Sequence, residues 1–216
     1  MIKLRGTPIL ALGTTKLVYA HPFQSRHLIK VIRPDLIDAQ GRSRVPGTRK
    51  WLPVCQRYAD FAVEVREFLI MRSRSDEPIP CLQSVIGFAE TDLGLGLVVE
   101  KLCDPVGELA PTVASLVMAH GVTEELISLW KVFFERMLHH NVVSQDWHLS
   151  NLVCATDENQ RQRIVLVDGL GDRSLLRLRS RWPLINRVIM HRKGRRALRR
   201  MNHPTGWILN KALRST

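Results

Sequence analysis

The chain has 216 residues, 45% of them hydrophobic, which suits one domain or two small lobes, and no apolar run approaches the length of a bilayer span. The formal charge of +12 sits in one place: residues 173–216 hold 13 Lys or Arg and no Asp or Glu, while the other 172 residues carry 19 basic and 20 acidic groups. A basic block of this kind is a solvated face, or a contact for nucleic acid, anionic lipid or a phosphorylated substrate. Cys55, Cys81, Cys103 and Cys154 form no C-x-x-C pair, which predicts buried thiols in a reducing cytosolic compartment and argues against a disulfide scaffold or a zinc site.

The opening MIKLRGTPILALGTT is broken by Pro8 and Gly13, so it reads as the start of a first strand and not as a signal peptide. Short apolar runs predict strands at Pro8 to Leu12, Leu17 to Ala20 and His27 to Ile32. Arg33 to Lys50, with Pro34, Gly41, Pro46 and Gly47, predicts a long loop. Trp51 to Met71 carries Val54, Tyr58, Phe61, Ala62, Val65, Phe68 and Leu69 at helical spacing. Strands are expected at Ser84 to Ala89 and Leu95 to Glu100, joined by Thr91-Asp92-Leu93-Gly94.

The remainder is helical in pattern. Thr112 to His120 is one helix, and Thr123 to His140 is a second, with Thr123 as cap, Glu124 and Glu125 in the first turn and His139 and His140 in the last. The His139-His140 pair reads as helix-end charge, since adjacent helical residues point about 100° apart. Trp130, Phe133 and Phe134 are core candidates. A strand at Leu152 to Cys154, a polar turn and a strand at Ile164 to Val167 follow, and the basic segment predicts two short helices, Leu184 to His191 and Arg195 to Met201. Strands first and helices after give an α+β class, divided into residues 1–102 and 103–216.

Five side chains then stand in an order that phosphoryl transfer requires. That chemistry needs a cation for nucleotide phosphates, an acid to hold it, a carboxylate to orient the acceptor hydroxyl, and oxygen ligands for magnesium. Lys30 lies in HLIKVI on the third strand; Glu67 lies on the long helix, with Glu64 as a rival on the same helix. Asp146 and Asn151 stand five apart in the loop QDWHLSN, and Asp168 follows the strand IVLV. Taken singly, each has an ordinary structural reading: a lysine stem over apolar surface, a helix-surface acid, or turn residues.

This order resembles the V-A-I-K, H-R-D-x-x-x-x-N and D-F-G sites of protein kinases. More narrowly, the chain resembles the YrbL family of the PhoP regulatory network. The strand running into LVYAHP, HLIKVI, the helix motif REFL, the loop ending NLVC, Asp168 to Gly171 as D-x-x-G and the Trp-containing basic end carry that resemblance. It implies a small two-lobe kinase-like fold that binds ATP and Mg2+. Lys30 would meet the phosphates with Glu67 as its partner, Asp146 would be the catalytic carboxylate, and Asn151 and Asp168 would hold magnesium. Glu100 to Leu102 would be the hinge for adenine.

The departures are specific. In ALGTTKLVY only Gly13 matches the glycine-rich loop, and Lys16 stands in place of a glycine, supplying charge to the same phosphates instead. Ser144 replaces the loop's opening His, His148 stands where many kinases have Lys, and Gly169 replaces the Phe. No A-P-E follows, and the 44 residues after Asp172 favour a small-molecule or lipid-headgroup acceptor over a protein. The rival expectation is a pseudokinase, a nucleotide-responsive regulatory module. For the basic segment, peripheral contact with an anionic inner-membrane surface through Arg195, Arg196, Arg199 and Arg200 is expected, and nucleic acid is disfavoured because only Trp182 and Trp207 interrupt the charge. An apolar face of Leu184, Ile185, Val188 and Ile189 is expected on the first of its helices.

Overall fold

The computed structural model describes residues 1–42, 56–75, 77–144, 147–171 and 183–202. The architecture is α+β, in two compact units. The first holds Met1–Pro78 and Gln83–Leu102; the second holds Ile79–Leu82 and the described residues after Leu102.

In the first unit, β1 (Ala11–Leu12), β2 (Lys16–Ala20), β3 (His27–Ile32), β4 (Val85–Thr91) and β5 (Gly94–Glu100) form one antiparallel sheet in the order β1-β2-β3-β5-β4. The first strand is shorter than the run Pro8 to Leu12: only Ala11 and Leu12 pair with β2 in strand register, and Leu10 adds a single N–H bond to Val18 O at 2.9 Å. Alternation along the strands separates two faces. Tyr19, Ile29, Val31 and Val98 form one apolar face, closed by Leu4. The chain reaches that position because Asp92 accepts from the backbone N–H of Leu4 at 2.7 Å and of Arg5 at 3.2 Å, while Ile2 bridges Thr91. The opposite face carries Lys16, Val18 and Lys30, since Val18 is registered with Lys30.

Helix α1 (Ala59–Arg72) follows a 3-10 turn at Gln56–Tyr58; residues 51–55, the expected start of this helix, lie outside the described residues. Its entry is fixed to the β4–β5 turn: Arg57 Nη2 donates to Leu93 O at 2.6 Å and Leu95 N–H to Tyr58 Oη at 3.0 Å. Gly94 permits both contacts. Its φ is +104°, and a Cβ there would stand 2.6 Å from Arg57 Nη2. The buried residues of α1 are Ala59, Phe61, Val63, Glu64, Glu67 and Met71, whereas Leu69 is exposed. Two carboxylates therefore belong to the buried side of a helix whose apolar periodicity alone does not mark them.

The second unit contains α2 (Val113–His120), α3 (Glu124–His139), the hairpin β6 (Leu152–Thr156) and β7 (Gln162–Leu166), and α4 (Pro183–Asn202). Thr112 and Thr123 cap α2 and α3, accepting from the N–H groups of Ser115 and Leu126. Trp130 and Phe133 are buried, and Trp147 packs edge-on against Trp130, Phe133 and Phe134 at centroid distances of 5.8–5.9 Å. The segment Ile79–Leu82 joins β7, with Leu166 N–H donating to Cys81 O.

The basic segment departs from expectation. Among the described residues it is one helix, α4, and not two. Gly194 does not interrupt it because the Phe134 ring packs onto its backbone: a Cβ there would stand 2.5 Å from Phe134 Cε2. The buried seam is Asn186, Met190, Gly194 and Ala197, while Val188 is exposed and Ile189 half-buried. The expected apolar face is thus rotated away from the packed one; the side chains of Leu184 and Ile185, and Trp182, lie outside the described residues.

Candidate functional site

In the first unit Lys30 and Lys16 share one face of the sheet, each 4% exposed. The carboxylate that meets them is Glu64, itself 7% exposed. Lys16 Nζ donates to Glu64 Oε2 at 2.6 Å and Lys30 Nζ to Glu64 Oε1 at 3.2 Å. Lys16 also lies 5.8 Å from the centre of the Phe61 ring. Glu64, the rival on the same helix, thus holds a contact with Lys30. Glu67 lies less than one turn further along α1, is buried, and accepts from Arg66 Nη2 at 2.6 Å. Buried charges of this kind persist only where pairing offsets desolvation.

Gly13 lies in the β1–β2 hairpin, where its N–H donates to Lys16 O at 2.9 Å; a Cβ at Gly13 would stand 3.2 Å from that oxygen. The loop is a closed hairpin, and this N–H is engaged within it. At the end of β5, Glu100 O accepts from Gln83 Nε2 at 2.8 Å, and Glu100 N–H donates to Ser84 O. Leu102 is buried.

In the second unit the hairpin register sets Leu152 opposite Leu166. Asn151, just before β6, therefore emerges at the same end as Asp168, just after β7; Val167 N–H donates to Asn151 O at 2.9 Å. Asn151 closes a 3-10 turn, Leu149–Asn151, in which Ser150 Oγ lies 3.3 Å from His148 Nδ1. Asp168 Oδ1 accepts from Gly169 N–H at 2.7 Å, and Gly169 and Gly171 both have positive φ, which the D-x-x-G glycines accommodate without strain. Ser144, in the position of the usual loop His, is wholly buried; its Oγ donates to Gly169 O at 2.9 Å, and Gly171 N–H donates to Val143 O. Asp146 lies outside the described residues, but the chain on its N-terminal side is tied to the D-x-x-G turn.

An amide oxygen and a carboxylate at one hairpin end are hard donors of the type Mg2+ takes. Among the described residues no three His, Cys, Asp or Glu form a metal cluster. So these two ligands would leave the remaining positions to water and phosphate oxygens, the usual state of Mg2+ beside a nucleotide.

Sequence reasoning missed three residues that organise this region. Asn186 Nδ2 donates to Asn141 Oδ1 at 2.8 Å and Val142 O at 3.1 Å, and Lys193 Nζ donates to Ser144 O at 2.8 Å. With Gly194 they hold the inner face of α4 on the segment that leads into the Asp146 loop. A polar residue and a glycine within a run of arginines carry no signal of burial in the sequence.

A search of curated proteins finds no match. Among solved structures, the chain is similar to the kinase domain of PknI from Mycobacterium tuberculosis, at 16% identity and a TM-score of 0.44 over 76% of this chain. It spans 58% of that domain's length. The model of the family described as PhoP regulatory network protein YrbL matches residues 2–202, and the chain belongs to that family.

Proposed function

We propose that this protein is an ATP- and Mg2+-dependent phosphotransferase acting on a small-molecule or envelope-lipid hydroxyl. The observation that carries this reading is the buried Lys30–Glu64 pair between the third strand and α1. A lysine fixed in that way is a pre-oriented charge for nucleotide phosphates. Lys16, held by the same carboxylate, adds a second charge where the glycine-rich loop is reduced to Gly13.

In this reading Lys30 and Lys16 bind phosphate oxygens. Asn151 and Asp168 hold Mg2+, and Asp146 orients the acceptor hydroxyl and takes its proton. Glu100 and Leu102 border the adenine. Bound Mg-ATP supplies the γ-phosphoryl group. A lipid acceptor would place the protein at the cytoplasmic face of the membrane as a peripheral protein; among the described residues no helix is long and apolar enough to cross one.

A specific observation favours a second reading, a nucleotide-responsive pseudokinase within the PhoP network. The Gly13 N–H and the Glu100 carbonyl, backbone groups that would face a nucleotide, are engaged by Lys16 O and Gln83 Nε2. The test is single-turnover phosphate release from ATP with lipid and sugar extracts as acceptors, for wild type and Asp146→Asn. Loss of turnover by a factor on the order of 10² with ATP binding retained supports the enzyme. Nucleotide binding by wild type without release on any acceptor supports the pseudokinase.

A further inference from the structure

We infer that the outer ridge of α4 is a docking surface for an anionic phospholipid bilayer, deepening the membrane element of the reading above while resting on different residues. With Asn186, Met190, Gly194 and Ala197 packed inward, helical geometry turns Val188, Arg192, Arg195 and Arg199 directly outward, with Arg196 beside them. Arg192, Arg195, Arg196 and Arg199 line one shallow cleft. Among the described residues none of these four side chains has an ion pair or hydrogen-bond partner. The ridge from position 188 to 199 runs about 16 Å at 1.5 Å per residue.

One feature selects a bilayer. Val188 is 56% exposed and stands one turn before Arg192, so the ridge combines an apolar side chain with guanidinium groups, as an interfacial helix does. Guanidinium groups also meet nucleic-acid phosphates and guanine edges, so duplex DNA is the competing probe in the test below. The inner face is held by Asn186 and Lys193, so the arginines stand on a supported element. Guanidinium groups then meet lipid phosphates in charge-assisted hydrogen bonds.

Binding near an anionic leaflet strengthens about fivefold per basic residue, and so several-hundred-fold for four. The experiment is co-sedimentation with vesicles of phosphatidylcholine alone and of phosphatidylcholine with phosphatidylglycerol, with no nucleotide present. The expected result is binding to the anionic vesicles only, reversed at about 1 M salt, where charges are screened within about 3 Å. Replacing Arg192, Arg195, Arg196 and Arg199 together by Gln removes the binding and leaves the thermal melt unchanged; replacement by Glu does the same if the first variant does not fold. Equal binding to neutral vesicles, retained binding by the Gln variant, or tighter binding to duplex DNA than to anionic vesicles would overturn the proposal. Because no nucleotide enters the assay, failure here leaves the phosphotransferase reading intact, and absence of ATP binding leaves this surface intact.

Discussion

Replacing Glu64 with Gln keeps the size of the side chain and removes the charge that two lysines share. Both lysines and Glu64 are nearly excluded from water, with side-chain exposures of 5% and 9%. Removing one partner from a buried ion pair costs about 3–5 kcal/mol, because the other charge stays desolvated. A whole domain is stable by only about 5–15 kcal/mol, so Glu64→Gln should take a large share of the total. The assay is urea unfolding followed by circular dichroism, reading the midpoint at constant slope. Double-mutant cycles with Lys16→Met and with Lys30→Met should each give a coupling energy of about 1 kcal/mol or more, the range for residues in one network. A cost for Glu64→Gln below about 1 kcal/mol, or couplings near zero in both cycles, would refute the claim that this carboxylate organises the sheet–helix interface.

Gly194→Ala should lower the melting temperature although alanine favours helix by about 1 kcal/mol, because its Cβ would stand 2.5 Å from Phe134 Cε2 and overpacking costs about 1–3 kcal/mol; the double variant with Phe134→Leu should recover part of the loss. Burial pushes the Cys81 thiol from its ordinary value of 9.0 to about 12. Between those pH values the unfolded thiol ionises while the folded one keeps its proton, so this group's contribution to stability falls as pH rises from about 9 to about 12; comparing unfolding midpoints of wild type and Cys81→Ala across that range checks it. The backbone N–H groups of Leu4 and Arg5 hold the Asp92 carboxyl below its ordinary 3.8. Its contribution is present above that value and lost as pH falls through the depressed one, so the protection of the Leu4 amide against exchange, relative to the intrinsic rate at each pH, should fall in acid in wild type more than in Asp92→Asn.

The sheet was legible from the sequence because each strand alternates or clusters apolar residues between turn signals, and HLIKVI coincides with β3 residue for residue. The cap Thr123 was legible for a local reason: a hydroxyl placed three residues before an unsatisfied N–H satisfies it whatever the tertiary context, and Thr112, read as the first residue of its helix, caps α2 by the same geometry. What could not be read was decided by long-range packing. Glu64 and Glu67 lie three residues apart, so both fall on one helix face, and the helical pattern alone does not say that Glu64 meets Lys30. Gly194 predicts a break by propensity, yet the ring of Phe134, 60 positions away in the chain, makes the glycine the residue that fits. The buried seam of α4 is set by Asn186, whose amide finds partners at Asn141 and Val142, and no apolar pattern announces that.

The most direct test of the proposed function is a thermal-shift titration with ATP, with Mg2+ and with EDTA, on wild type and Asp168→Ala. Asp168 lies in a half-buried turn after β7, so its removal should leave the core unchanged. The account predicts that ATP stabilises the wild type more with Mg2+ than with EDTA, and that Asp168→Ala abolishes this difference while keeping the wild-type melt without ligand. Equal stabilisation of the wild type in Mg2+ and in EDTA, or no stabilisation by ATP in either, would contradict it.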